Sequence, residues 1–126
     1  MKRASAAGGA IVVLVTAASN QQAEEIAHAL VGERIAACAN IVSPIRSIYR
    51  WKDEIQNDTE HLIIIKTRAN LLSKLEGRVK ALHSYEVPEV IAIPIVAGAK
   101  SYLDWVFEST SAPPRAVRKT KGPRKQ

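Results

Sequence analysis

The chain predicts an α+β sandwich of βαββαβ order with an extra helix at its C-terminal end. Three observations predict it. The apolar period switches between two and 3.6 along the chain, one very long β-hairpin fills the stretch from Ile35 to Thr67, and two flanking helices are apolar on one side only. Two β-α-β units joined by a hairpin give an antiparallel sheet with helices on one face, the split ferredoxin-like arrangement. With 126 residues, 47% of them apolar and 24% charged, the chain is long enough to bury one real core.

Ala10 to Thr16 is a continuous β-branched run, the pattern of an inner strand covered on its faces. Ser19 and Gln22 form a capping box, after which Ala23, Ile26, Ala27, Leu30 and Val31 share one helical face, so a helix is expected from about Asn20 to Arg34. From Ala37 to Trp51 the odd positions alternate over far more than the five or six residues of an average strand. The hairpin tip is expected at Asp53 to Asp58, where Asp and Asn tolerate left-handed backbone, with a returning arm over 59–67. Leu62 to Ile65 has no polar break, which suggests burial on both faces.

Asn70 then caps a second helix striped by Leu72, Leu75, Val79 and Leu82 and ending near His83. Val90 to Val96 reads as a fourth strand, placed at an edge or a bulge by Pro94, and Ser101 with Asp104 starts a short last helix. With both helices on one side, the other sheet face is bare and apolar, and large bare apolar patches mark association surfaces. A homo-oligomer is therefore expected.

The formal charge of +6 is confined to the C-terminal end: Arg115, Arg118, Lys119, Lys121, Arg124 and Lys125 follow Pro113 with no acidic residue, leaving 18 − 6 = 12 basic residues against 12 acidic ones. The expected division is a flexible 1–8, a domain over 9–110 and a basic, disordered tail over 111–126. Charge alone is weak evidence for nucleic acid, and no aromatic RNP pattern accompanies it, so a nucleic-acid partner is not expected. No apolar run of eighteen residues exists, and lone Cys38 cannot form an internal disulfide; a cytoplasmic protein without membrane partners is expected.

Phosphate-loop, dinucleotide, zincin, dithiol and serine-hydrolase signatures are all missing. Cys38 has no charged neighbour within three residues to activate it, and a free strand cysteine more often acts as a small buried hydrophobe. His83, Tyr85, Glu86 and Glu89 place an imidazole, a phenol and two carboxylates between a helix and a strand, donor types suited to a borderline metal. His83 can equally serve the carbonyls of a helix end. Tyr49 and Trp51 share one strand face, from which Arg50 and Lys52 point away, so burial against a neighbouring subunit is favoured over base stacking.

Ordered motifs over about residues 10–108 carry a family resemblance: Val15-Thr16-Ala17, residues 34–41 (Arg-Ile-Ala-Ala-Cys-Ala-Asn-Ile), residues 47–51 (Ser-Ile-Tyr-Arg-Trp), Glu60 with Ile65-Lys66-Thr67, residues 83–89 (His-Ser-Tyr-Glu-Val-Pro-Glu) and Tyr102-Leu103-Asp104-Trp105. The chain resembles the CutA divalent-cation tolerance family. The resemblance implies a ferredoxin-like protomer in a homotrimer built like the PII proteins, and a role in tolerance of copper and other divalent ions without established catalysis. It implies clefts between subunits lined or supported by Cys38, Asn40, Tyr49, Trp51, Lys66, His83, Tyr85, Glu89 and Trp105. Enteric members offer copper a cysteine and a histidine pair; here Val15 stands for the cysteine and Leu82 for one histidine, neither with a lone pair to give, leaving His83 alone. His-Ser-Tyr here replaces the usual His-Pro-Tyr, and Asp53 a common glycine. A bound divalent cation such as copper would then need another ligand set, such as Cys38, His83 and Glu89, the alternative being a small-ligand or scaffolding trimer that binds no metal.

Overall fold

A computed structural model describes residues 9–112; the expected N-terminal segment 1–8 and the basic tail from residue 113 lie outside the described residues. The elements are β1 (Ala10–Ala17), α1 (Asn20–Gly32), β2 (Cys38–Trp51), β3 (Glu54–Arg68), a 3-10 turn (Ala69–Leu71), α2 (Leu72–Leu82), β4 (Ile91–Pro94) and α3 (Lys100–Ser109). The sheet is antiparallel in the order β2-β3-β1-β4, as the ferredoxin-like reading requires, with β1 inside and β4 at an edge where Pro94 leaves no ladder donor missing.

One face of the sheet carries the core. Val13 and Val15 of β1, Ile63 and Ile65 of β3, Ile26 and Leu30 of α1, and Leu75 and Val79 of α2 are fully buried together. Thr67 is buried among them, and its hydroxyl donates to the Ile35 carbonyl at 2.6 Å, fastening the α1–β2 connection to β3. Thr67→Val keeps the volume and deletes that donor; a loss of about 1–3 kcal/mol is expected, read by denaturant unfolding at fixed protein concentration.

The other face carries Val12 and Leu14, Leu62 and Ile64, and Ile91 and Ile93 in register across β1, β3 and β4. Leu62 and Ile64 are only half-buried and Ile91 and Ile93 exposed, so the four-residue apolar run of β3 is dry on one face rather than two. α3 docks at one end of this second face through Arg68, whose guanidinium donates to the Phe107 carbonyl at 2.5 Å and the Ser111 hydroxyl at 2.9 Å. Val106 is buried there, apart from the main core.

Three local expectations are corrected. The β2 alternation is broken by a bulge at Ser43-Pro44: Val42 pairs Leu62 but Ile45 pairs Glu60, so one residue is left over and the faces exchange. Cys38 and Asn40 therefore share a face with Tyr49 and Trp51, although their numbers differ in parity. The tip is only Lys52-Asp53, both left-handed (φ 51° and 66°), because a two-residue turn of this hand follows the strand twist and keeps residues 54–58 paired. Neither Asn70 nor Ser101 caps a helix: Asn70 lies inside the 3-10 turn, and Ala99 precedes α3 without a side-chain cap.

The bulge also marks where the hairpin leaves the sheet. β1 pairing ends at His61, so residues 45–51 and 54–60 pair only with each other, an arm of about 23 Å at 3.3 Å per residue. Ile48 and Ile55 on one side of this arm are 67% and 68% exposed.

Candidate functional site

Where the arm leaves the sheet, the loop after α2 folds across to form a cleft of about 750 Å³. It is lined by Thr16 of β1, Ser47, Tyr49 and Trp51 of β2, Glu60 of β3, and the loop residues Tyr85, Glu86 and Glu89. The loop is tied down by His83. Its Nε2 lies 2.6 Å from the Thr16 carbonyl, which can only accept, so the ring proton is on Nε2, and Nδ1 accepts from the Tyr85 backbone N–H at 3.0 Å. The ring of Tyr85 stacks at a tilt on the imidazole with centroids 4.7 Å apart.

Tyr85 donates its hydroxyl to Glu60 Oε2 at 2.6 Å. Burial, then this bond to a carboxylate, pushes the phenol well above its ordinary range. Glu60 is 94% buried yet has no cationic partner among the described residues. Glu89 stands at the rim, where partial desolvation and then the Glu60 charge push its carboxyl up. It too lacks an ion pair among the described residues. Tyr49 donates to Asp58 at 2.5 Å, and that bond raises the phenol first, with smaller contributions from desolvation and neighbouring carboxylates. Lys52, expected to point away, turns at the tip and sets its Nζ 5.6 Å from the Trp51 ring centroid.

The proposed ligands Cys38, His83 and Glu89 do not converge within a protomer, and among the described residues no group of three or more His, Cys, Asp and Glu side chains does. Both His83 nitrogens are engaged by the backbone, leaving no lone pair for a metal. Cys38 faces Lys66, four strand positions from the level of Thr16, about 13 Å along the sheet. There Lys66 Nζ donates to Asn40 Oδ1 and lies 3.8 Å from the Cys38 sulfur. Asn40 and Lys66 thus form a polar patch away from the cleft, while Trp105 lines a separate hollow of about 320 Å³ with Arg34, Ala36 and Ala37. Tyr49, Trp51, Tyr85 and Glu89 meet in the cleft. Sequence reasoning passed over Glu60 as a site residue, although a carboxylate two residues before an unbroken run of Leu62 to Ile65 marks a charge held at the edge of an apolar strand.

A ferredoxin-like protomer carrying a long protruding hairpin, with an acidic, aromatic-lined cleft at the hairpin's root, defines the structural class. Comparison with known proteins gives the family. The model of the CutA1 divalent ion tolerance protein family matches residues 11–109, and the chain belongs to that family. It is 52% identical over 92 residues to the divalent-cation tolerance protein CutA of Thermus thermophilus, covering 73% of this chain and 89% of that protein. It is 47% identical over 90 residues to human Protein CutA, covering 71% of this chain and half of that protein, and it likewise spans half of the chloroplastic Arabidopsis thaliana relative. The solved Thermus structure matches with a TM-score of 0.79 at 51% identity, over 81% of this chain and 99% of that one. The periplasmic divalent cation tolerance protein CutA of Archaeoglobus fulgidus also gives 0.79, at 40% identity and the same coverage. The family description and the Thermus and Archaeoglobus names describe tolerance of divalent ions; none of the names describes a reaction.

Proposed function

We propose that this protein is a homotrimeric, non-enzymatic divalent-cation response protein that binds its cation in the cleft at Glu60 and Glu89. The observation that carries this reading is a pair of neighbouring carboxylates, one of them buried, with no cationic partner among the described residues. Two carboxylates with water completing the shell suit a hard divalent ion. Copper(II) binds a given oxygen donor set more tightly than earlier first-row divalent ions, so copper is the cation expected to bind most strongly there. Of the three ligands suggested by sequence, only Glu89 is retained. The free thiol of Cys38 supports a reducing compartment such as the cytoplasm, and among the described residues no helix is long and apolar enough to cross a membrane.

The pH dependence follows from Glu89. Its carboxyl is raised, so ionisation opposes folding: the penalty is present above the folded pKa and is relieved as pH falls through it. A bound cation favours the ionised form, so affinity must increase as pH rises through that same value. Titration with Mn²⁺, followed by loss of the free-ion paramagnetic signal, is expected to show saturable binding at pH 7.5 and weaker binding at pH 4.5. Equal affinity at the two values, or no binding at either, removes the proposal.

The volume and aromatic lining of the cleft favour a second reading, a small-ligand sensor. It predicts the same cleft without Mn²⁺ binding.

A further inference from the structure

We propose that the same cleft receives the chain's own basic C-terminal segment, residues 113–126, in competition with the divalent cation; the competition rests on the cation reading given above. Chemically the cleft is a receptor for guanidinium and ammonium groups. Carboxylates of Glu60, Glu86 and Glu89 line it with the rings of Tyr49, Trp51 and Tyr85, and carboxylates beside aromatic faces are what such cations bind best. The Trp51 ring already lies under one ammonium, that of Lys52. Among the described residues, none of the three carboxylates is ion-paired.

The complementary charge is in the tail, where Arg115, Arg118, Lys119, Lys121, Arg124 and Lys125 supply the entire net charge of +6. Geometry lets it arrive. Arg68 and Arg34 hold Ser111 at the Arg68 end of β3, Arg68 through the serine hydroxyl and Arg34 through its carbonyl. Glu60 lies eight residues back along that strand, about 26 Å away at 3.3 Å per residue. Counting from Ala112, Lys121 is nine and Arg124 twelve residues on, reaches of about 30 Å and 40 Å when extended. Lys121, Arg124 and Lys125 can therefore enter the cleft, whereas Arg115, three residues on, cannot. Tethering supplies an effective concentration of order millimolar, so a contact too weak to detect between separate molecules is populated within one chain.

The test uses the full chain with Cys38→Ser and Gln126→Cys, a nitroxide on the new thiol, and nuclear magnetic resonance of the Trp51 indole. Broadening of the Trp51 signal, relieved by Glu60→Gln and also by the milder Glu86→Gln/Glu89→Gln pair, is expected. A sharp signal, or broadening unchanged in both variants, overturns the contact. Broadening seen only between labelled and unlabelled copies assigns the cleft to a neighbour's tail and overturns the same-chain assignment. In parallel, changing all six tail cations to glutamine is expected to tighten Mn²⁺ binding at least threefold at low salt, with the gap closing at high salt. Unchanged Mn²⁺ affinity overturns the competition. If neither chain binds Mn²⁺, the cation reading and the competition fall together, while the indole signal still decides the contact.

Discussion

Ile48→Glu/Ile55→Glu is expected to turn the proposed trimer into monomers at micromolar concentration, read by light scattering as one copy per particle against three for the unchanged chain. Both side chains are about two-thirds exposed in the protomer, on an arm that pairs only with itself beyond the sheet. The opposite side of that arm carries Tyr49 and Trp51, each 39% exposed. The Ile48 and Ile55 side leaves its apolar surface in water unless another chain covers it, while the Tyr49 and Trp51 side forms a wall of the cleft. Covering each isoleucine contributes about 1.5–3 kcal/mol, and a carboxylate in its place adds the cost of burying a charge. In the proposed trimer, three arms multiply both effects. Neither residue belongs to the main core, so far-UV circular dichroism should be retained; an intact trimer in the double variant would show that the arm is not the assembly device.

Glu60→Gln/Glu89→Gln is expected to weaken divalent-cation binding on the order of 100-fold, since a unit charge at 4 Å is worth about 1 kcal/mol in bulk water and about 4 near a protein surface. The amides preserve shape and keep an oxygen for Tyr85, so the loop held by His83 should stay closed. His83→Ala separates positioning from ligation: it removes the tie to Thr16 and the support of Tyr85 without removing a cation ligand. It should loosen the loop more than it changes the charge dependence of binding.

Much of the fold was legible because its strongest signals are periodic. The strand of β1 and the apolar stripe of α1 each repeat one physical demand over several residues, and the structure keeps them, together with the N-cap at Ser19. The Ser19 hydroxyl accepts from the Gln22 backbone N–H at 3.1 Å, the N-cap half of the expected box, while the Gln22 side-chain oxygen accepts from the Ser84 hydroxyl at 3.3 Å. What failed were single-residue events. Pro44 can offer no ladder donor, and the bulge around it moved Tyr49 and Trp51 to the face of Cys38 and Asn40. Asn70 and Ser101 are good capping residues, but the chain enters both helices by other geometry.

The site was legible in its aromatics and in Glu89, and illegible in how the residues group. Tyr49, Trp51, Tyr85 and Glu89 come from strand and loop segments that the hairpin's root brings together, whereas His83 looked like a ligand because sequence cannot show that Thr16 and Tyr85 occupy both its nitrogens. Glu60 became visible only when burial set it against Tyr85 and Glu89.

The most direct measurement is an anomalous-difference map from crystals grown with Mn²⁺ and without chelator. A peak between the carboxylates of Glu60 and Glu89 in every cleft, absent from Glu60→Gln/Glu89→Gln crystals, is the predicted result. A cleft without a peak, or a metal held by Cys38 and His83 instead, would contradict it.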